Sequence, residues 1–202
     1  MGAAPVVEPS TLARVLTGVP APVVVGISGF GGSGKSTLAI WLTHNVPGCV
    51  RVRGDDFLDP SLSHRRSADW SGVDRARLTR DVLDPFRRGE RGHHRPYDWV
   101  HGRLGDPVPN PEGPVLVVDL VGLFHPEVCD RLDVRVWMDL DLATATARGL
   151  ARDAALGRDH RTLWRDVWVP NEQDFERTFA PRDAATHLIG DNPDGPLTQV
   201  VD

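Results

Sequence analysis

The sequence has few of the features that mark secreted, metal-binding or membrane-spanning proteins. Its two cysteines, Cys49 and Cys129, stand far apart and lack metal-ligand spacing, so both are predicted to be free thiols in a reducing compartment. No apolar run approaches the roughly 20 residues that a membrane-spanning helix needs. No basic segment followed by an apolar stretch marks a secretory leader. These absences predict a cytoplasmic protein with no membrane partner.

Lysine is nearly absent, because Lys35 is the only lysine among the 23 Lys and Arg residues. A lysine carries a compact ammonium group on a flexible stem, so position 35 is a candidate for a role that arginine does not fill. The net charge of −5 argues against a broad nucleic-acid-binding surface. A length of 202 residues suits one domain, taken as 1–202.

Apolar runs alternate with amphipathic stretches, which is typical of an α/β fold. Strands are predicted at 23–27, 50–52, 115–118, 134–138 and 186–189, and helices at 10–16 with Ser10 as N-cap, from Lys35 onward, at 74–87 and at 142–156. The alternation predicts a three-layer α/β/α sandwich around a mainly parallel five-stranded sheet. A long loop is predicted to follow the 74–87 helix up to Pro114, with residues 88–110 as its acceptor-binding part, and an unstructured tail at 191–202.

A glycine-rich turn between the first strand and its helix fits the pattern G-x-x-x-x-G-K-[ST]. Backbone N–H groups of such a turn, together with the positive end of the helix, hold a polyphosphate. Lys35 is predicted to reach the β- and γ-phosphates, and the Ser36 hydroxyl to bind Mg²⁺. The predicted nucleotide contacts are Gly29, Gly31, Gly32, Ser33, Gly34, Lys35, Ser36 and Thr37. The motif predicts ATP or GTP binding by a P-loop NTPase.

Two predicted strands end in carboxylates. Asp119 follows four apolar residues and is predicted to hold Mg²⁺ directly or through water. Asp55 follows the second strand, at the edge of the sheet where ligands bind in open α/β folds. A carboxylate there can accept the proton of an attacking hydroxyl, so Asp55 is the predicted catalytic base. An ordinary strand end for Asp119 and a solvated turn for Asp55 and Asp56 are the alternatives.

Arginines cluster at the end of the predicted 142–156 helix. Arg148 and Arg152 are four residues apart and share one helix face, and Arg158 and Arg161 follow Gly157. A mobile flap at about 148–165 could close these side chains on the transferred phosphoryl group. Arg152 and Arg158 are the predicted catalytic pair and Arg148 is assigned to the substrate. A solvated helix face is the alternative.

In the order of these motifs along the sequence, the chain resembles the uridine kinase and phosphoribulokinase group of P-loop kinases. Gly26 to Ser36 is similar to the opening motif of the group, and Asp55-Asp56-Phe57 to the segment that carries its catalytic base. The segment from Arg152 to Asp159 resembles the lid. The resemblance, which spans about residues 23–190, implies a nucleoside-like acceptor bound by Asp69, Tyr97, His101 and Arg103, with ATP as donor and Mg²⁺ as cofactor. Relatives form oligomers, which leaves a homo-oligomer open.

The chain departs from the family pattern at three places: Leu58 replaces a tyrosine, Asp119-Leu120 replaces Glu-Gly, and the Tyr97–His101 spacing is one residue shorter. Three hypotheses follow. The first is a uridine or cytidine kinase. The second keeps the chemistry with another sugar, a pantothenate-like alcohol or an antibiotic as acceptor. The third is a nucleotide-dependent switch without turnover, for which Asp55 would be dispensable.

Overall fold

The computed structural model describes residues 3–59 and 61–191. Its centre is a five-stranded sheet of β1 (Val23–Ser28), β2 (Cys49–Arg53), β7 (Val115–Asp119), β8 (Val134–Asp139) and β9 (His187–Gly190). The strand order is β2-β7-β1-β8-β9 and every neighbouring pair is parallel. All residues of β1 and β7 are buried, which explains their continuous apolar sequences. The predicted parallel sheet is confirmed.

Helices cover both faces of the sheet. The helices are α1 (Pro9–Gly18), α2 (Lys35–Asn45), α3 (75–87), α4 (Pro126–Cys129), α5 (Leu142–Ala155) and α6 (161–179), and α3 and α6 each contain a π-helical turn. Leu12 of α1 and Leu38 of α2 pack into one core, whereas Leu78 of α3 and Phe175 of α6 pack into the other. The three-layer α/β/α sandwich is therefore confirmed. Within the described residues, no helix is both long and apolar enough to cross a membrane.

Two helices, α4 and α6, were not predicted. The structure differs from the predictions at two further places. Helix α1 begins at Pro9, and Glu8 rather than Ser10 is its N-cap, without a side-chain hydrogen bond. The segment predicted as a loop after α3 contains four short strands, β3 (His93–His94), β4 (Tyr97–Asp98), β5 (Arg103–Leu104) and β6 (Val108–Pro109). β3 pairs with β6 and β4 with β5, both antiparallel, so the segment is a two-part hairpin. Two-residue strands are too short to leave a period in the sequence. Except for Asp191, the predicted tail lies outside the described residues.

Candidate functional site

The phosphate-binding loop connects β1 to α2 at the carboxyl edge of the sheet. Gly34 is left-handed and caps α2, which aligns the first N–H groups of the helix with the loop. Lys35 is buried, and its Nζ donates to the main-chain oxygens of Gly29 (2.9 Å) and Phe30 (2.8 Å). The buried Ser33 hydroxyl has no hydrogen-bond partner among the described residues. A phosphate in the loop would supply acceptors for both groups.

The outer side of this loop packs tightly against α5. Gly32 has a φ of +83°, and a Cβ there would lie 2.2 Å from the Ala145 carbonyl oxygen and 2.7 Å from the Gly149 nitrogen. A Cβ on Gly31 would lie 2.8 Å from the Trp164 ring. Close packing therefore requires glycine at both positions, and the positive φ of Gly32 favours glycine there as well.

Ser36 and Asp119 form the candidate metal site. The Ser36 hydroxyl donates to Asp119 Oδ2 at 2.7 Å, and Asp119 is buried. These oxygen atoms suit Mg²⁺, which usually binds one or two protein ligands together with waters and substrate phosphates. Arg51 of β2, which sequence reasoning missed, also donates to both Asp119 oxygens at 2.7 and 2.9 Å. No larger cluster of His, Cys, Asp and Glu side chains with metal-ligand geometry occurs in the described part of the chain.

Asp55 lies on a 3₁₀ turn, Gly54–Phe57, directly after β2. Arg53 at the end of β2 is in register with Asp119, so the turn lies beside the end of β7. Burial of the carboxyl group, and then the negative charge of Asp119, raise the pKa of Asp55, whereas Lys35 acts in the opposite direction. The side chain nevertheless keeps solvent-exposed surface, so the burial of its carboxyl group is only partial. Its carboxylate therefore combines electrostatic contact with the phosphate-binding lysine and access from outside.

The same turn supports the two-part hairpin. Arg77 of α3 donates to the main-chain oxygens of Asp56 (2.8 Å) and Arg95 (2.7 Å), and its guanidinium lies 4.6 Å from the centre of the Phe57 ring. The His94 ring stacks on the Phe57 ring with 5.5 Å between the ring centres, and His94 is buried. The hairpin is thus held next to the turn that carries Asp55.

The predicted acceptor contacts lie on the outer part of the hairpin. Tyr97 packs edge-on against Trp99 at 4.7 Å, and Asp98 accepts a hydrogen bond from Nδ1 of His101 at 2.7 Å. That bond is the main cause of the lowered pKa of Asp98. Arg103 is exposed and pairs with Asp98 in the strand register. The roles of Tyr97, His101 and Arg103 toward an acceptor stay predictions.

Asp69 lies on a loop that α6 holds in place. Its Oδ1 accepts hydrogen bonds from Ser67 Oγ and from the Ser71 nitrogen (3.0 Å), and the Ser67 bond in particular lowers its pKa. Asn171 of α6 is buried; its Oδ1 accepts from the Ser67 nitrogen at 2.9 Å and its Nδ2 donates to the Arg65 oxygen at 3.0 Å. Asn171 therefore fixes the loop, while the contact of Asp69 with a substrate stays a prediction.

A buried carboxylate organises the arginine-bearing lid (148–165). Asp153 accepts hydrogen bonds from Trp164 Nε1 (2.9 Å), Arg152 Nη2 (3.0 Å) and His160 Nδ1 (3.2 Å). Burial opposes ionisation of Asp153, but these three donors outweigh it and lower the pKa. Arg152 follows Gly149, which packs against Gly32 of the phosphate-binding loop, by three residues, and its positive charge helps to lower the pKa of Lys35.

The other lid arginines are differently placed. Arg148 forms a two-point ion pair with Asp191, at 3.0 Å for both contacts, and Arg158 is exposed. Arg161 pairs with the neighbouring Asp159 on the surface. The roles assigned to Arg148, Arg152 and Arg158 stay predictions.

Glu172 of α6 is a site residue that sequence reasoning missed. It is buried, and its Oε1 accepts a hydrogen bond from the Gly31 nitrogen at 2.5 Å. The other carboxylate oxygen, Oε2, is buried and has no partner among the described residues. The signal was present, because Glu172 is four residues from Trp168 and three from Phe175 on the apolar face of a helix.

A separate cavity of about 490 Å³ lies at the opposite edge of the sheet, before the first residues of β1 and β7. Pro22, Phe86, Arg88 and Pro114 contribute to its lining, and none of the phosphate-binding loop does. It is not part of the candidate active site.

The sheet, the phosphate-binding loop and the carboxylate at the end of β7 together define a P-loop NTPase fold of the kinase type. A solved structure from Bacillus stearothermophilus, described as a possible uridine kinase, matches with a TM-score of 0.71 at 15% identity, over 90% of this chain and 96% of that one. A solved structure from Silicibacter sp. TM1040, described as a candidate fructose transport system kinase, matches with a TM-score of 0.70 at 22% identity, over 90% of this chain and 98% of that one. Both likenesses concern the fold.

Curated relatives give the family. The uridine kinase of Leuconostoc citreum is 31% identical over 144 residues, which cover 65% of this chain and 69% of that protein. The uridine kinase of Staphylococcus carnosus is 26% identical over 66% of this chain and 69% of that protein. For the Saccharomyces cerevisiae uridine kinase, 26% identity extends over 85% of this chain, which spans only 38% of the yeast protein. No protein-family model matches the chain. The chain belongs to the uridine kinase-like family of P-loop kinases.

Proposed function

We propose that the protein transfers the γ-phosphoryl group of ATP to a hydroxyl group of a nucleoside such as uridine or cytidine. The observation that carries the proposal is the placement of Asp55, which lies beside Asp119, is coupled electrostatically to Lys35 and remains open to solvent. A protein that only binds nucleotide has no need of a carboxylate at that point. The curated relatives named uridine kinase support the same reading.

Each group at the sheet edge has a defined task in this reaction. Asp55 accepts the proton of the acceptor hydroxyl as the oxygen attacks, and its raised pKa suits it to hold that proton. Lys35 exchanges its main-chain partners for phosphate oxygens. Ser36 and Asp119 would hold Mg²⁺, which neutralises charge on the phosphates. Arg152, held by Asp153, supplies positive charge from the lid side.

A second acceptor class is favoured by one observation. Leu58, which replaces the tyrosine of the family pattern, forms an isolated β-bridge with Val73 and packs against the core. The residue therefore offers no hydroxyl group to a nucleoside. Another sugar or alcohol is the second candidate acceptor, and the description of one structure with the same fold as a candidate fructose transport system kinase supports this class.

The experiment is ADP release from Mg-ATP with a panel of acceptors: uridine, cytidine, fructose, other sugars and pantothenate. We expect uridine or cytidine to stimulate turnover. Asp55→Asn should lower kcat by roughly 10²–10⁴ because the base is lost, while Mg-ATP binding is retained. Asp56→Asn is the matched control: it removes a charge from the same turn, and its carboxylate is subject to Arg53, His94 and Arg77 rather than to Lys35. That variant should stay within about tenfold of the wild type.

Three results would change the proposal. Turnover with a sugar and not with nucleosides would replace the acceptor class. Full activity of Asp55→Asn would remove the catalytic base. Tight Mg-ATP binding without turnover on any acceptor would favour a nucleotide-dependent switch.

A further inference from the structure

Helix α6 places a carboxyl group against the phosphate-binding loop, although the reaction described above does not use it. Glu172 Oε1 accepts from the Gly31 nitrogen at 2.5 Å, and Oε2 is buried without a partner among the described residues. A Cβ on Gly31 would lie 3.2 Å from Oε1, so the carboxyl group touches the loop itself. A loop built to bind anionic phosphates therefore has a carboxylate on one of its N–H groups.

The electrostatic surroundings make this carboxylate sensitive to a bound anion. Burial, above all, raises the pKa of Glu172 to about 7, while the Gly31 hydrogen bond and the Lys35 ammonium favour the ionised form. The remaining charged group that acts on it is Glu176, one turn further along α6 and exposed. Lys35 in turn is subject to Glu172 more than to any other charged group. Ionised Glu172 thus offsets part of the Lys35 charge when the loop holds no phosphate.

We propose that Glu172 is a positioning residue that holds the loop and its lysine in the empty site and takes up one proton when a polyphosphate binds. The proposal rests on the proposed function only in requiring a nucleotide in the loop. A phosphate anion near Glu172 adds like charge in a water-poor site, which favours the neutral carboxyl. The proton comes from solvent and no covalent bond changes. Protonated Oε2 then becomes a hydrogen-bond donor.

Proton uptake has a measurable size. With a pKa of about 7 in the free protein and a higher one in the complex, roughly half to three quarters of a proton should be bound per nucleotide at pH 7.5. Linkage also fixes how nucleotide affinity depends on pH. The affinity is highest below pH 7 and falls as pH rises toward the pKa of Glu172 in the complex, by up to about tenfold per pH unit.

The test is calorimetric titration with Mg²⁺ and a non-hydrolysable ATP analogue, in buffers of different ionisation enthalpy at pH 7.5. Glu172→Gln keeps an acceptor for the Gly31 N–H and removes the titrating group. We expect this variant to bind fewer protons than the wild type by the stated amount, and its affinity to be nearly flat from pH 6.5 to 8.5. Glu176→Gln is the matched control and should retain most of the wild-type uptake.

The outcomes separate the two proposals. No nucleotide binding by the wild type would overturn the proposed function. Binding by the wild type without proton uptake would overturn the role of Glu172 and leave the kinase proposal intact, whether or not the variant folds. Equal uptake by the wild type and by Glu172→Gln would assign the proton to another group and would also overturn the role of Glu172.

Discussion

Replacing Asp153 with asparagine perturbs a carboxylate that joins α5 to two side chains at the start of α6 and also binds its neighbour Arg152. The wild-type carboxylate accepts hydrogen bonds from Trp164, Arg152 and His160. The asparagine side chain has a single acceptor oxygen, and its NH₂ group would face hydrogen-bond donors of these side chains and could not accept from them. We expect the lid to lose its fixed geometry and Arg152 its support.

The magnitude depends mainly on the buried part of this network. Trp164 and Asp153 are both buried, so a weakened bond to Trp164 and an unpartnered amide donor should together cost about 3 kcal/mol. The side chains of Arg152 and His160 are 58% and 36% exposed, so their bonds add little after solvent screening. For a domain of this size, the loss corresponds to a Tm lower by roughly 6–12 °C.

The assay is thermal and urea unfolding at several pH values. The pKa of Asp153 is lowered in the folded protein, so its contribution is present above the ordinary value of 3.8 and is lost as pH falls through the depressed pKa. The Tm difference between wild type and Asp153→Asn should therefore be constant from pH 7 to 5. Asp166→Asn, on an exposed pair with Arg165, is the control and should leave Tm unchanged.

A double-mutant cycle with Trp164→Phe separates the buried bond from general packing, because phenylalanine lacks the donor. Coupling of about 1–2 kcal/mol between the two substitutions is expected. Additive effects would refute the reasoning, as would a Tm difference that shrinks already between pH 7 and 5.

Two further predictions concern the loop and its supports. Gly32→Ala should lower the free energy of unfolding by about 1–3 kcal/mol and abolish tight nucleotide binding, because the new Cβ would lie 2.2 Å from the Ala145 oxygen. Unfolding experiments and ATP titrations test this. Gly18→Ala is the control, because a Cβ at that helix end would have nothing within 4 Å. Asn171→Ala should lower the free energy of unfolding by about 2 kcal/mol. It should also raise the KM for the acceptor more than the KM for ATP, because the loop that contains Ser67 loses its anchor. Equal effects on both KM values in steady-state kinetics would contradict this.

The strands and the phosphate-binding loop were predictable because their signals are local. Four buried residues in a row identify β7, and the loop motif fixes the positions of Lys35 and Ser36. Asp119 and Asp55 followed from the rule that parallel strands end at one edge. The hairpin after α3 was missed because two-residue strands have no period, and their pairing depends on contacts between His94 and Val108 across the chain.

The missed site residues depend on tertiary contacts. Arg51 lies between two valines, which is the ordinary pattern of a half-exposed strand. Its ion pair with Asp119 depends on β2 lying next to β7 in the sheet, and the sequence does not specify that strand order. Asn171 and Glu172 left a weak signal as polar residues on the apolar face of α6. Their partners, 104 and 141 residues away, could not be identified from spacing.

The tight contact between Gly32 and α5 has a thermodynamic consequence for ligand binding. The backbone of α5 packs against the outer side of the loop, so the loop has its curved shape before a nucleotide binds. A flexible loop would lose conformational entropy when it binds a nucleotide. This loop lost that entropy already when the chain folded. Preorganisation of this kind leaves more of the interaction energy available for affinity.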